Sequence, residues 1–487
     1  MLPVTIAEAA RRFADRTAYV TPAGWSLSYA DVDRISDEVA SGLAHRGVRA
    51  GDVVALVLPP GPEYLLAYCA GAKIGAITAG VNDRLSSRER LAVLDVADPR
   101  IILDAGEFAA ADAAEKALHD LRVRGATPPR IADDPDRPVA IIFTSGTTGL
   151  PKGALYCNRQ LAFITKTDVG DRWDGGGRSF SGTSFAHLGF MTKLPGALRR
   201  GGTSFIMERW RARAALELLA RERMTTVAGV PTQLALMLRD PEFDDFDLSS
   251  VQYIVAGGGP VTPGLAEEAR RRFGAALSTR YSCTEAGIGL GTAFDDPQED
   301  AIVSVGRPHP SVDLAIRDPD GRDVAPGQIG EVCLRSPAVM SGYWRDPEQT
   351  RAALTTDGFV RTGDLGWLDD RGRLRLVGRS KEMYVRGGYN VYPVEVEQVL
   401  STHPDVAAVA IVPRPDDVMG EIGVAVVVAR DPQRIPTLAV LRDFAAPHLA
   451  AYKLPEEVHV VDALPLTAGE KVDRRALAET IAARPPR

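Results

Sequence analysis

Residues 143–153 read FTSGTTGLPKG, placing four hydroxyl side chains, three glycines and one lysine on the end of the apolar run Val139 to Phe143. These residue types suit an anion with several oxygens. Glycine lets backbone N–H groups close on the anion, Ser and Thr add donors, and Lys152 adds a point charge. The pattern excludes the nucleotide loop G-x-x-x-x-G-K-S/T. Lys152 follows Gly146 by the six residues that loop uses, but Pro151 stands where its second glycine is required and Gly153 where Ser or Thr is required. The stretch is therefore a phosphate binder of another type. The chain has 57 basic residues, of which eight are lysine, so a lysine is the exception among its cations. A compact ammonium on a thin stem reaches where a guanidinium does not, which draws attention to Lys152, Lys381 and Lys471.

Other motifs follow in order: Ala256-Gly-Gly-Gly-Pro260, Tyr281-Ser-Cys-Thr-Glu285, Phe359-Val-Arg-Thr-Gly-Asp-Leu-Gly366, Gly378-Arg-Ser-Lys-Glu382 and Pro465-Leu-Thr-Ala-Gly-Glu-Lys471. Together with FTSGTTGLPKG they resemble the signatures of the adenylate-forming superfamily, which includes acyl- and aryl-CoA synthetases, peptide-synthetase adenylation domains and beetle luciferases. The resemblance runs along nearly the whole chain. It implies two half-reactions. A carboxylate attacks the α-phosphate of ATP to give acyl-AMP and pyrophosphate, and a thiol then displaces AMP.

The resemblance also implies roles. Thr144, Ser145, Gly146, Thr147, Thr148, Gly149 and Lys152 hold the β- and γ-phosphates. Glu285 binds Mg²⁺, and Thr284 bonds the α-phosphate. Gly258, Gly259 and Pro260 flank the adenine, with Tyr281 stacking on it and Ser282 and Cys283 lining the same nucleotide. Asp364 accepts the ribose hydroxyls, supported by Arg379. Lys471 bridges carboxylate and α-phosphate. Lys381 is a hinge, and Gly387 and Gly388 wall the pantetheine channel of CoA. His187, Phe190, Gly257 and Gly287 line the acyl pocket, where Gly287, Gly289 and Gly291 leave room for a medium chain or a ring. Arg280 is a candidate partner for the second carboxylate of a diacid. Two positions depart from the motifs: Ser282 and Glu470 both stand where the superfamily usually has glycine.

These groups need elements to position them. Apolar runs at Val53 to Leu58, Ala76 to Ala79, Ile101 to Leu103, Val139 to Phe143, Thr203 to Met207 and Val251 to Ala256 read as strands. Amphipathic stretches at Pro62 to Gly75, Arg211 to Arg223 and Pro263 to Phe273 read as helices. This alternation predicts an α/β fold with mostly parallel sheets covered by helices. Between about 300 and 378, short strands with crowded Gly, Pro and Asp turns predict a small antiparallel sheet or a small β-barrel. After residue 380 a further α/β unit is expected, with helices at Pro393 to Ser401 and Leu438 to His448 and strands at Val406 to Pro413, Gly423 to Val428 and Val458 to Asp462. The predicted organisation is an N-terminal adenylate-forming domain at 1–378 made of two α/β subdomains and the barrel, a hinge at 379–381 and a mobile C-terminal domain at 382–487.

Composition narrows the class. The 487 residues exceed one ordinary core. A net charge of −7 argues against a nucleic-acid partner. No run of 18 apolar residues offers a membrane span. Four scattered cysteines without a CxxC pair point to a reducing cytoplasm. The expected function is an ATP-dependent acyl-CoA ligase acting on a fatty, alicyclic or aryl acid. Its alternatives are an acyl-AMP ligase loading a separate acyl carrier protein and a malonate-type dicarboxylate CoA ligase. Light-emitting relatives carry a lysine aligned with Val385, so an oxygenase is disfavoured. A homodimer is left open.

Overall fold

The computed structural model describes residues 1–21, 24–104, 118, 120–144 and 151–482. The chain divides into two compact units. The first is Met1–Thr225 with Ser282–Ile288 and Arg335–Val360; the second is Thr226–Tyr281 with Gly289–Leu334 and Arg361–Arg487.

The first unit centres on a five-stranded sheet in the order Ile101–Asp104, Val53–Val57, Ile77–Gly80, Pro138–Thr144, Lys152–Cys157. The first four strands run parallel and the last pairs antiparallel with its neighbour. Val53–Val57 is buried throughout, as a central parallel strand with two covered faces must be. Alternate side chains go to opposite layers. Val54, Leu56, Ala140 and Ile142 join a core with the helix Pro62–Lys73 and the N-terminal helix Leu2–Phe13. Val53, Ala55, Val57 and Ile141 join a second core with the helix Ser87–Ala97. Leu2, Ile6, Ala9 and Phe13 recur at helical spacing, which gives the first helix its single buried face. A smaller sheet runs Ser26–Ser28, Thr17–Val20, Thr203–Ile206, Arg178–Ser181.

In the second unit, Thr226–Gly229, Tyr253–Gly257 and Ala276–Tyr281 are parallel, and the short strands Leu290–Gly291 and Arg307–Pro308 extend them antiparallel. A further sheet has the order Asp313–Arg317, Gly330–Arg335, Val360–Leu368, Leu374–Arg379. It is open, and no closed barrel forms among the described residues. The turn-rich segment was expected to close because its strands are short, but four strands in linear order leave two edges.

The C-terminal segment builds its own two-faced sheet. The long hairpin Val406–Asp416 and Gly420–Ala429 is flanked by Tyr384–Arg386, Tyr389–Val391 and Glu457–Val460. Val409, Ile411, Ala425 and Val427 pack on the helices Pro393–Leu400 and Leu438–Ala445. Ala410, Val412, Val424 and Val426 pack instead on Leu477 and Ile481 of the helix Arg474–Ala482. The expected boundary at 379–381 falls inside the second unit, in a turn between Leu374–Arg379 and Tyr384–Arg386.

Candidate functional site

Ser145, Gly146, Thr147, Thr148 and Gly149 lie outside the described residues. On either side of them, Thr144 ends one strand, Lys152 begins the next, and the two are paired in register. Lys152 thus starts a strand, whereas the excluded nucleotide loop starts a helix. Gly153 is required here, because a Cβ at that position would sit 2.5 Å from Ile141 Cγ2.

Lys152 Nζ donates to Gln349 Oε1 and lies 5.3 Å from the centre of the Tyr343 ring. The Tyr343 hydroxyl donates to Glu285 Oε1 at 2.7 Å. Burial, then the Glu285 charge, pushes the Tyr343 hydroxyl well above the ordinary tyrosine range, so it remains a donor. Backbone pairing explains the arrangement. Residues 341–344 add to the edge of the strand Lys152–Cys157: Leu155 N–H donates to Gly342 O, Ser341 N–H to Leu155 O and Trp344 N–H to Gly153 O. Gln349 is placed by the short helix Pro347–Ala353, where Asp346 accepts the Gln349 N–H at 2.9 Å. Tyr343 and Gln349 were missed in the sequence, because neither belongs to a spaced motif.

Glu285 and Thr284 are half-buried. The Tyr156 hydroxyl donates to Thr284 O, and Met340 N–H donates to Glu285 O. Both fix the backbone that carries the two side chains. Among the described residues, Glu285 Oε2 takes no hydrogen bond. One hard carboxylate oxygen is what Mg²⁺ requires when phosphates supply its other ligands. No group of three or more metal-ligating side chains occurs among the described residues. Ser282 and Cys283 are also half-buried, and Ser282 Oγ donates to Cys283 O.

His187 Nε2 is 3.2 Å from Asn82 Nδ2. Nearby in sequence, Phe185 and Phe190 stack with centroids 3.7 Å apart, and Tyr64 meets both edge-on. Gly287 has φ +75°, and a Cβ there would lie 2.6 Å from Ala338 O. Its small size answers to backbone packing, as does that of Gly257, where a Cβ would lie 2.8 Å from Arg280 O. At Gly291 the same holds, with Thr279 O at 2.9 Å. The sequence suggests that Gly287, Gly289 and Gly291 leave room for an acyl chain; at Gly287 and Gly291 backbone packing is a further reason for glycine. Arg280 Nη1 donates to Thr292 O at 3.2 Å, tying it to its own sheet.

The second unit gathers Tyr281, Asp364, Arg379 and Lys471. Asp364 is 8% exposed. Its Oδ2 accepts the Tyr281 hydroxyl at 2.7 Å and its Oδ1 accepts Arg379 Nε at 3.0 Å. Each oxygen keeps a lone pair for a further donor. Tyr281 therefore orients the carboxylate through its hydroxyl, a role beyond the expected stacking. Asp364 and Arg379 are direct partners in the ladder between Val360–Leu368 and Leu374–Arg379, which is why they meet. Burial works against the Arg379 charge, but the Asp364 and Glu382 carboxylates outweigh it and hold its pKa above the ordinary value. The Lys471 ammonium feels the same groups. Desolvation first, then the Arg379 charge, lowers its pKa, while Asp364 acts in the opposite sense. It still reaches solvent.

Gly258 has φ +81° after the strand Tyr253–Gly257, and Gly259 faces Pro231. Pro260 follows, just before the helix Pro263–Phe273 capped by Thr262. Gly387 and Gly388 form the two-residue turn between Tyr384–Arg386 and Tyr389–Val391, with φ +54° and +85°. Positive φ at both positions is the twist-matched hairpin turn, which demands glycine-like residues. A Cβ on Gly388 would meet nothing within 4 Å. Lys381 is exposed in the turn before this hairpin.

Comparison with known proteins bears on the same residues. The AMP-binding enzyme family matches residues 6–344, and the AMP-binding enzyme C-terminal domain matches residues 395–471. An indoleacetate–CoA ligase from Aromatoleum aromaticum is 35% identical over 481 residues, covering 94% of this chain and 93% of the relative. A fatty acid–[acyl-carrier-protein] ligase, ScoC, from Streptomyces coeruleorubidus is 32% identical, covering 93% and 91%. The crystal structure of ATP-bound MatB from Rhodopseudomonas palustris aligns with a TM-score of 0.86 at 28% identity, covering 99% of each chain.

Proposed function

The chain belongs to the AMP-binding enzyme family, and from that premise we propose that it is an ATP-dependent acid–thiol ligase joining a carboxylic acid to coenzyme A. The observation that carries this reading is the buried Asp364 carboxylate, which accepts the Tyr281 hydroxyl at 2.7 Å and Arg379 Nε at 3.0 Å. The Lys471 ammonium feels the charges of Asp364 and Arg379.

In the first half-reaction the acid's carboxylate oxygen attacks the α-phosphorus. A P–O bond forms, the bond to the β-phosphate oxygen breaks, and pyrophosphate leaves with the electron pair. Lys471 offsets the repulsion as two anions meet. Lys152 and Thr144 stabilise the departing pyrophosphate, with the residues 145–149 that connect them. Bound through Glu285, Mg²⁺ would neutralise phosphate charge. Thr284 bonds the α-phosphate, Asp364 and Arg379 orient the ribose, and Gly258 to Pro260 flank the base. In the second half-reaction the CoA sulfur attacks the acyl carbon and AMP departs. A turn about Lys381 swaps the Lys471 loop for the Gly387–Gly388 turn, so that residues 382–487 act as a mobile domain.

The acid is hydrophobic: aryl, alicyclic or fatty. The aromatic cluster of Tyr64, Phe185 and Phe190 beside His187 supports that class, as does the name of the indoleacetate-activating relative. A carrier protein is the second reading for the acceptor, favoured by the similarity to ScoC. Among the described residues, no helix is long and apolar enough to cross a membrane.

AMP release with a panel of aryl, alicyclic, fatty and dicarboxylic acids, each with and without CoA, tests this directly. Release that needs one acid class and CoA is expected. Release indifferent to CoA would turn the assignment toward a carrier protein. Two substitutions refine it. Tyr343→Phe should leave the fold intact and raise the Mg²⁺ concentration for half-maximal rate by about three- to tenfold, the order of one hydrogen bond to a charged group. An unaltered Mg²⁺ titration would remove Tyr343 from that role. Gly388→Leu should adenylate normally yet form CoA product at less than about a tenth of the wild-type rate, because a branched side chain enters a space that now holds none. Full CoA ligation would take the turn out of the thiol path.

A further inference from the structure

Residues 467–471 form a tight turn. Glu470 N–H donates to Thr467 O at 2.9 Å, Thr467 N–H donates to Lys471 O at 2.7 Å, and Leu466 pairs with Val472. This is a three-residue hairpin loop whose last position must be left-handed. Glu470 occupies it, with φ +61°. Glycine adopts that conformation freely and an L side chain does not. A strained residue persists where surrounding contacts over-determine it.

Gln233 Nε2 donates to Glu470 Oε2 across 237 residues of sequence. Gln233 is 2% exposed, on the helix Pro231–Leu238. Its Oε1 accepts Val230 N–H at 3.2 Å, which fixes the amide with its NH₂ toward Glu470. A second bridge, Arg430 to Glu268 at 2.7 Å, joins the same two parts of the second unit.

We propose that Glu470 and Gln233 form a latch specific to the conformation that presents Lys471, making Glu470 a positioning residue for adenylation. This rests on the hinge reading given above. Gln233 precedes residues 379–381 and Glu470 follows them, so a rotation there carries the turn away from the helix. The bond is then lost while the left-handed backbone remains. The Gln233 bond therefore offsets the strain at Glu470 in one state and not in the other, and a glycine at this position would remove that bias.

The test uses the full-length wild type, Glu470→Gly and Glu470→Gln. Three quantities are measured: acid-dependent exchange of labelled pyrophosphate into ATP, thiol transfer from pre-formed acyl-adenylate, and tryptic cleavage after Arg379, Lys381 and Arg386. Glu470→Gly should lose roughly tenfold in exchange, the order of one hydrogen bond to a charged group, and keep thiol transfer. Its cleavage should accelerate by a similar factor. Glu470→Gln retains an acceptor for Gln233 and should recover most of both. Undiminished exchange in Glu470→Gly, an equal fall in both half-reactions, or unaltered cleavage would overturn the latch. If the wild type exchanges no label with any acid, the ligase reading fails, and the cleavage comparison still decides the latch.

Discussion

Lys471→Ala is expected to slow acyl-adenylate formation by about 10²- to 10³-fold, the cost of removing one preorganised charge from a developing anion. Thiol transfer from pre-made acyl-adenylate should stay within about twofold, because a group used in one half-reaction affects only that step. The asymmetry follows from where the lysine sits. Its ammonium feels the Arg379 and Asp364 charges, and it is carried on a turn in which Lys471 N–H donates to Thr467 Oγ1 at 3.3 Å. Lys471→Arg keeps the charge but replaces a compact ammonium by a planar fork, and should restore only part of the rate. Separate assays of the two half-reactions check this. An equal loss in both would remove the domain-rotation assignment.

Arg373→Met is expected to destabilise the protein by about 3–5 kcal/mol, the range for breaking a buried ion pair and leaving its partners uncompensated. Asp300 is fully buried, and Arg373 and Asp369 are nearly so. Arg373 donates to Asp300 and to Asp369 Oδ2, while Arg307 and Arg375 supply a second donor to each. The backbone N–H groups of Arg371 and Arg373 also donate to Asp369 Oδ1. This network closes the turn between Val360–Leu368 and Leu374–Arg379, the two strands that carry Asp364 and Arg379. Loosening it should weaken nucleotide binding along with the fold. Burial pushes the Asp369 carboxyl up, but these hydrogen bonds outweigh it and lower its pKa to about 2. A depressed carboxylate pKa stabilises above the unfolded value and ceases to do so as pH falls through the folded one. Asp369 should therefore support the fold fully above about pH 4 and lose its contribution between there and about pH 2. Urea midpoints of wild type and Arg373→Met over this range measure both effects. A difference below about 1 kcal/mol at neutral pH would mean the network is no more than a solvated surface cluster.

Much of the scaffold was legible because its patterns are strong. Pro263–Phe273 carries proline at its first position, a Thr262 cap and a glycine beyond its end, and the observed helix has those bounds. The strand at Val53 was equally plain, being apolar on both faces. Misreadings have physical causes. The helix from Leu438 was expected to reach His448 but stops at Ala445, since Pro447 has no N–H to continue the ladder. The turn-rich segment was expected to be a barrel because strand length says nothing about closure.

The site was legible in part. Asp364 and Arg379 could be named from motifs, but their register as ladder partners comes from folding alone. Glu470 was visible as a departure, and its left-handed backbone supplies the reason glycine is usual there. Tyr343, Gln349 and Gln233 were invisible, because each acts through a residue 58 to 237 positions away. Single-sequence patterns carry no such pairing.

Acid-dependent exchange of labelled pyrophosphate into ATP by the wild-type protein, without any thiol, tests the central claim most directly. Reversible acyl-adenylate formation predicts exchange with a hydrophobic acid and Mg²⁺, and none without the acid. Exchange independent of acid, or no exchange while the protein converts ATP to ADP in the presence of acid, would contradict adenylation as its chemistry.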